Sequence, residues 1–200
     1  MAGRRLRIPL AFAESLAWRT ARLTGPNPSF IKFVNEYIMT ATNPKILDYG
    51  AGLLRHTYYL INLGYTVYIH DPLFEYIETE KRIVHDNTQR NYTHIICTFV
   101  LNVCLEYKRE AILKHIYLIT AEEGRVLIIV RGKNSITART RERLYDGWNI
   151  LQTKTFQKGY SLEELEEYLK RYNFEIETIY TQNLNRDIAV VIKKNASTKT

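Results

Sequence analysis

Two glycines and two aspartates have the spacing of a nucleotide-binding loop. An apolar run leads into Asp48, and Gly50 and Gly52 follow at alternate positions. Glycines after a first strand let the backbone approach a ligand closely, and an acid at the end of the second strand bonds ribose hydroxyls. Asp71, about twenty residues further on, ends the run "YTVYIH" and fits that second role. The third glycine of such loops is missing, and we expect Leu54, which stands there, to crowd the site.

These residues must be positioned by strands and helices that alternate along the chain, a pattern typical of a mainly parallel sheet covered on both faces. The last two strands are joined only by "TQNLNR", which is too short for a parallel crossover, so they must pair antiparallel. The predicted fold is α/β: a Rossmann-like doubly wound sheet, mainly parallel, with a C-terminal antiparallel hairpin. Helices are predicted over 9–23, 29–40, 57–63, 106–120 (closed by Gly124), 161–172 and briefly after Asp71; strands over 45–49, 65–70, 82–85, 93–101, 125–131, 175–180 and 188–193; and irregular structure over 132–159.

Asp48 discriminates between two cofactor classes. A carboxylate two residues before the first glycine would repel a dinucleotide pyrophosphate, whereas it favours the ammonium and sulfonium groups of S-adenosylmethionine (SAM). The terminal hairpin is also typical of class I SAM-dependent methyltransferases. We therefore predict SAM as the cofactor, with a nicotinamide-dependent oxidoreductase as a weaker alternative. The predicted cofactor-binding residues are Asp48, Tyr49, Gly50, Ala51, Gly52, Asp71, Pro72, Asp86 (near the adenine), Phe99 and Asn102. The alternative for Asp86 is a solvated turn residue, and the alternative for Asn102 is a polar cap on the following helix.

Four phrases of the sequence resemble the methyltransferases associated with DNA phosphorothioation. They are "DYGAG" (48–52), "IHDP" (69–72), "VLNVCLE" (100–106) and "TFQKGYSLEELEEYL" (155–169). The resemblance covers residues 24 to 170 or so and implies a class I methyltransferase fold. It departs after the second loop glycine, where the family has Gly-Asp-Asp and this chain has Leu54-Arg55-His56. Basic side chains therefore stand where the family has acidic ones.

Positive charge points to an anionic substrate. The chain has a formal net charge of +7, and residues 131–158 alone carry seven basic residues against two acidic ones. Basic side chains can meet phosphates, and interleaved aromatics can stack on exposed bases. We predict a nucleic acid or another polyanion as partner, held with the help of the basic N-terminal arm; a solvated basic loop is the alternative. The predicted substrate-binding residues are Arg131, Lys133, Arg139, Arg141, Arg143, Trp148, Phe156 and Lys158.

The sequence identifies neither a catalytic base nor a metal site. The five histidines lack metal-ligand spacing. His56 and His85 lie near the predicted site and could serve as bases, but we interpret both as surface residues. Cys97 and Cys104 cannot form a disulfide framework and are expected in the core, which favours an intracellular, cytoplasmic protein. The sequence has no apolar run of about 18 residues, so no membrane span is expected. The domain prediction is a helical arm (1–42) packed on a methyltransferase-like domain (43–194), then a polar tail (195–200). Oligomeric state is not predicted, and a catalytically idle domain that binds nucleic acid or acts as a scaffold is the alternative function.

Overall fold

The computed structural model describes residues 25–71, 83–85, 90–136, 141–151 and 153–195. The predicted helix at 9–23, the N-terminal arm up to residue 24, the short helix after Asp71 and the last five residues of the tail lie outside this part of the chain. No helix within the described ranges is long and apolar enough to span a bilayer.

The element order is that of a doubly wound sheet. Helix α1 begins after Asn27, whose side chain accepts a hydrogen bond from the Ser29 amide at 2.8 Å, with Pro28 in the first turn. The elements are α1 (Pro28–Phe33) with a π-helical continuation (Val34–Ile38), β1 (Ile46–Tyr49), α2 (Arg55–Asn62), β2 (Val67–His70), β3 (Ile83–His85), β4 (Tyr92–Thr98), α3 (Glu106–Ile119), β5 (Thr120–Arg131), β6 (Arg141–Leu144), β7 (Gly147–Ile150), β8 (Thr155–Gln157), α4 (Leu162–Lys170), β9 (Phe174–Gln182) and β10 (Asp187–Lys194).

Seven strands form one sheet in the order β3-β2-β1-β4-β5-β10-β9. The pairs from β3 to β5 are parallel, and β10 pairs antiparallel with both β5 and β9. The predicted terminal hairpin is therefore confirmed, with β10 inserted between β5 and β9. Since β1 lies between β2 and β4, the carboxyl ends of these three strands meet at one edge, where open α/β sheets bind ligands.

Two apolar cores cover the two faces of this sheet. One contains Leu113 of α3 and Leu165 of α4, and the other contains Phe30 of α1 and Leu60 of α2. Alternate residues of each strand enter opposite cores because successive strand side chains point to opposite faces. In β1, this places Asp48 on the α1–α2 face.

The predicted irregular structure over 132–159 is wrong for much of that segment. Strands β6, β7 and β8 form a separate antiparallel sheet of three strands. The strands have three or four residues each, and β6 reads "RERL", so no apolar alternation reveals them. We call this the small sheet.

Gly124 does not close α3, contrary to the sequence-based prediction. The helix ends at Ile119 and β5 begins at once with Thr120, so Gly124 lies inside the strand. A Cβ at this position would come within 2.8 Å of the Tyr92 carbonyl oxygen. Glycine is required at this position because the backbones of β4 and β5 approach each other closely where their register shifts.

Candidate functional site

The glycine loop adopts backbone conformations that favour glycine. Gly50 has φ +74° and Gly52 has φ +53°. A Cβ on Gly50 would lie 2.3 Å from Cγ2 of Val100, so a larger residue at this position would force Val100, which follows β4, to shift. The Gly50 amide donates to the carbonyl oxygen of His70 at 2.6 Å and thereby ties the loop to the end of β2.

Asp71 directly links the loop to the second strand. Its Oδ2 accepts a hydrogen bond from the Gly52 amide at 2.9 Å. The predicted ribose-binding acid and the second loop glycine are thus adjacent, although 19 positions separate them in sequence. Because a carboxylate offers about four lone-pair sites, this contact leaves it the capacity to accept from hydroxyl groups as well.

Asp48 lies beneath the loop rather than on its surface. Its side chain is 1% exposed, and Oδ2 accepts a hydrogen bond from Oγ1 of Thr57 at 2.7 Å. Burial raises the pKa of Asp48 to about 6, the Thr57 hydrogen bond opposes that rise, and the negative charge of Asp71 adds to it. The carboxyl group can act on a cationic ligand through its charge, across the loop backbone. Sequence analysis missed Thr57, which lies in the first turn of α2 and belongs to no recognised motif.

The expectation that Leu54 crowds the site is not supported by its position. Leu54 is nearly buried, at 9% exposed, and belongs to the core under α2. It precedes the helix in the left-handed conformation, with φ 58°, and its amide donates to the Ala51 carbonyl oxygen at 2.9 Å. Leucine thus occupies a backbone position that favours glycine because its side chain packs in the core.

This geometry predicts that Leu54→Gly destabilises the protein less than Leu54→Ala. Removing the buried side chain costs about 2–5 kcal/mol in the alanine variant. The glycine variant loses the same contacts but is spared the left-handed strain of about 1 kcal/mol. Urea denaturation of both variants measures the difference, and a glycine variant less stable than the alanine variant would contradict this explanation.

Tyr49 and Ala51 point away from the ligand edge. Tyr49 is buried in the core on the α3 face, where its hydroxyl lies 3.1 Å from Nδ1 of His115 and its ring packs against His70. Ala51 is buried in the opposite core. Among the predicted loop residues, these two can offer only their backbone to a cofactor.

Phe99 covers the carboxyl end of β4 and is flanked by two arginines. It has φ 59°, and its amide donates to the carbonyl oxygen of Ile129 at 2.7 Å. The guanidinium carbons of Arg131 and Arg55 lie 5.0 and 5.8 Å from the ring centroid. Arg131 was predicted to bind substrate, but Arg55 was interpreted only as a departure from a family motif.

Asn102 connects the end of β4 to the small sheet. It is 1% exposed, and its Nδ2 donates to Oε1 of Gln157 at 3.2 Å. Its carbonyl oxygen accepts from the Lys158 amide at 2.7 Å. Helix α3 begins after Leu105, so Asn102 does not cap it. Asn102 positions the small sheet over the carboxyl edge of the main sheet.

The predicted substrate-binding residues divide into exposed and buried groups. Arg141 and Arg143 are exposed and lie over the half-buried ring of Trp148, with guanidinium carbons 4.3 and 5.2 Å from its centroid. We call these three residues the Arg–Trp patch. Lys133 is also exposed, on the turn after β5. Arg139, together with the predicted cofactor residues Pro72 and Asp86, lies outside the described residues.

Phe156 and Lys158 do not form the exposed surface that their sequence context predicted. Phe156 is 1% exposed. Lys158 is 7% exposed, and its Nζ lies 2.5 Å from Oε1 of Glu164 and 3.3 Å from Oδ2 of Asp146. Neither side chain is presented to solvent, so their positions do not support the prediction that they bind substrate.

A buried ion-pair network was missed by sequence analysis. Arg109 of α3 is 1% exposed and pairs with Asp146, which lies in the turn between β6 and β7. Its second amino group donates to the Cys104 carbonyl oxygen at 2.8 Å. Because Asp146 also contacts Lys158, the network holds the small sheet against α3 and α4. Helical spacing places Arg109 on the buried face of α3, but its partner is too distant in sequence to be recognised.

His56 is not the surface residue that we expected. It is 3% exposed, its ring centroid lies 4.3 Å from that of Phe30, and its Nδ1 is 3.2 Å from the Thr98 hydroxyl. Burial lowers its pKa to about 3, so it is too weak a base to act at neutral pH. His85 lies in β3.

Neither cysteine chemistry nor a metal cluster emerges from the described ranges. Cys97 is buried and burial raises the pKa of its thiol, so that it behaves as a core residue. Cys104 is partly exposed. Within these ranges, no three His, Cys, Asp or Glu side chains converge in a way that could hold a metal ion.

Known structures share this fold. The 1,6-didemethyltoxoflavin-N1-methyltransferase of Burkholderia thailandensis, solved with 1,6-didemethyltoxoflavin and S-adenosylhomocysteine, matches with a TM-score of 0.64 and 15% identity over 96% of this chain and 93% of its own. The CcbJ methyltransferase of Streptomyces caelestis matches with a TM-score of 0.66 and 12% identity over 92% and 98%. The glycopeptide N-methyltransferase MtfA, complexed with SAM, matches with a TM-score of 0.60 and 11% identity over 83% and 92%.

Sequence comparison is consistent with the fold. Comparison with curated proteins finds no significant match. The family model described as a methyltransferase domain matches residues 18–179. Because this match spans most of the sequence and the sheet has the expected topology, the chain belongs to the methyltransferase domain family.

Proposed function

We propose that this protein transfers a methyl group from SAM to an anionic acceptor, with a nucleic acid as the candidate substrate. The observation that carries the proposal is the Gly52–Asp71 hydrogen bond, which joins the glycine loop to the acid after β2 at the ligand edge of the sheet. Family membership makes SAM the cofactor, and two of the structural neighbours hold SAM or S-adenosylhomocysteine.

The residues at this edge fit the cofactor's chemistry. The Asp71 carboxylate can accept hydrogen bonds from ribose hydroxyls while it keeps the Gly52 amide. The loop from Gly50 to Gly52 lets the backbone approach the ligand closely. Asp48, 1% exposed beneath the loop, offsets the positive charge of the methionine end when it is ionised.

The protein's contribution to the reaction is alignment. SAM, when bound, supplies an activated methyl group on a positively charged sulfur. The loop and Asp71 fix the donor, and residues at the ends of β4 and β5 fix the acceptor, so that direct in-line transfer is favoured by proximity. The buried His56, with its pKa near 3, does not supply a general base, and we assign none.

The Arg–Trp patch supports an anionic acceptor. Arg141 and Arg143 present two exposed positive charges beside an aromatic ring, a combination that binds phosphates and stacks on bases. A small molecule is the alternative acceptor, since a structural neighbour is crystallised with 1,6-didemethyltoxoflavin.

Calorimetry tests the cofactor assignment. We expect SAM and S-adenosylhomocysteine to bind the wild-type protein, and Asp71→Ala to weaken both by at least about tenfold, because it removes charge-assisted hydrogen bonds worth about 1.5–3 kcal/mol. Glu122→Gln, an exposed change near the start of β5, is the matched control and should leave the affinity unchanged. Failure of the wild-type protein to bind at millimolar ligand would reject the proposal.

The idle-domain alternative makes a different prediction about nucleic acid. Binding of a fluorescent single-stranded DNA would then fall with salt and with the paired change Arg141→Gln and Arg143→Gln, but would respond neither to S-adenosylhomocysteine nor to Asp71→Ala. The exposed Arg–Trp patch is the observation that keeps this alternative open.

A further inference from the structure

Two arginines from distant parts of the chain meet on one aromatic ring at the ligand edge. Arg55 begins α2, directly after the glycine loop, and Arg131 ends β5. Their guanidinium carbons lie 5.8 and 5.0 Å from the centroid of Phe99, which follows β4. All three side chains are partly exposed. We call them the Arg–Phe–Arg cluster.

The strand order places this cluster next to the methyl donor. The ribose acid Asp71 follows β2, the glycine loop follows β1 and Phe99 follows β4, and these three strands are neighbours in the sheet. A cofactor whose ribose lies at Asp71 and whose remainder lies along the loop therefore reaches toward β4. The Arg–Phe–Arg cluster occupies the next position along that edge.

An arginine beside an aromatic ring is well suited to hold an oxygen anion. The ring attracts its positive charge, and the forked N–H donors of its planar guanidinium match a carboxylate or phosphate in a two-pronged fashion. Two such groups near a sulfonium also repel a cationic acceptor and attract an anionic one.

We propose that Arg55, Phe99 and Arg131 bind a carboxylate or phosphate group of the methyl acceptor and align it with the donor. This inference rests on the proposed function, because it assigns the acceptor site of the same reaction. The Arg–Trp patch would then hold more distant parts of a large acceptor, while the Arg–Phe–Arg cluster holds the acidic group nearest to the methylated atom.

Small anions test the site in protein saturated with S-adenosylhomocysteine. Benzoate is the carboxylate probe, inorganic phosphate is the phosphate probe and benzamide is the neutral control, with binding measured by NMR titration. We expect millimolar binding of at least one anion and weaker binding of benzamide. Preference for benzoate would indicate an organic acid as acceptor, and preference for phosphate would indicate a phosphate-bearing acceptor such as a nucleotide.

Variants identify the residues that bind the anion. Arg55→Gln and Arg131→Gln should each weaken anion binding by about tenfold, whereas the paired change Arg141→Gln and Arg143→Gln should not. S-adenosylhomocysteine affinity is measured in every variant. If neither anion binds the saturated wild-type protein, or if both arginine variants bind it normally, the acceptor site is wrong while the cofactor site stands.

The same titrations separate an acceptor site from a cofactor contact. If Arg55→Gln or Arg131→Gln weakens S-adenosylhomocysteine as strongly as it weakens the anion, that arginine holds the cofactor's own carboxylate and the inference is overturned for it. If the wild-type protein fails to bind S-adenosylhomocysteine at all, the proposed function fails instead.

Discussion

Arg109→Met is expected to lower the free energy of unfolding by about 3–5 kcal/mol, the largest effect among the substitutions that we predict. The guanidinium is 1% exposed and pairs with Asp146, whose side chain is 32% exposed, so its removal leaves a partly buried carboxylate without its main partner and the Cys104 carbonyl oxygen without this donor. Lys158 still contacts Asp146 at 3.3 Å, but it is shared with Glu164. The measurement is chemical denaturation followed by far-UV circular dichroism.

Lys170→Met on α4 is the matched control for Arg109→Met. Lys170 forms an ion pair with Glu166 at 2.8 Å, but the side chains are 61% and 43% exposed. Such a surface pair contributes little to stability, because solvent screens it and holding both side chains in place costs entropy. Equal losses in the two variants would show that burial of the Arg109 network does not stabilise the fold. The double change Arg109→Met and Asp146→Leu should cost less than the sum of its parts, because no partly buried carboxylate is left without its main partner.

The wild-type protein is expected to lose about 3 kcal/mol of unfolding free energy as the pH rises through the titration of Asp48, and Asp48→Asn is expected to abolish this loss. Burial raises the pKa of Asp48 from 3.8 to about 6, so the folded protein holds this proton more tightly than the unfolded chain does. The stabilisation is complete below pH 3.8 and is lost as the pH rises through about 6. Asparagine cannot ionise, yet its oxygen can still accept the Thr57 hydrogen bond.

The measurement compares unfolding free energies of the wild type and Asp48→Asn at pH 4 and pH 8, without ligand. Between these values the wild type should lose about 2.4 kcal/mol more than the variant, because pH 4 already lies slightly above the pKa of the unfolded chain. Titrations common to both proteins, such as that of His94, whose pKa burial lowers to about 4, cancel in this comparison. A difference that does not change with pH would show that Asp48 titrates normally.

The same residue then connects stability with function. Above about pH 6 the buried Asp48 carboxylate is ionised and destabilises the fold. A cationic ligand on the loop would compensate this negative charge and recover the lost stability. We therefore expect SAM, which carries the sulfonium, to bind Asp48→Asn more weakly than the wild type at pH 8, although the variant is relatively more stable there.

The strand and helix pattern of the main sheet could be predicted because it depends on local sequence. Apolar runs such as "KILDY" and "RVLIIVR" can be buried only as strands in this context, and the short "TQNLNR" connection requires an antiparallel pair. The small sheet could not be predicted in this way, since its strands are short and β6 has no apolar face. Its position depends on Arg109, Asp146 and Lys158, which contact one another only in the folded chain.

The amino-acid sequence by itself determined the fold class and the glycine loop, and it predicted that Asp48 and Asp71 bind a cationic nucleoside cofactor, because residue type and spacing carry that chemistry. Only the tertiary structure decided which side of the loop each side chain occupies. It buried Asp48 against Thr57, turned Leu54 into the core, withdrew Lys158 into an ion-pair network and brought Arg55 to Phe99. These outcomes depend on contacts between residues far apart in sequence, and the free energy of such contacts is set by burial, which no local pattern records.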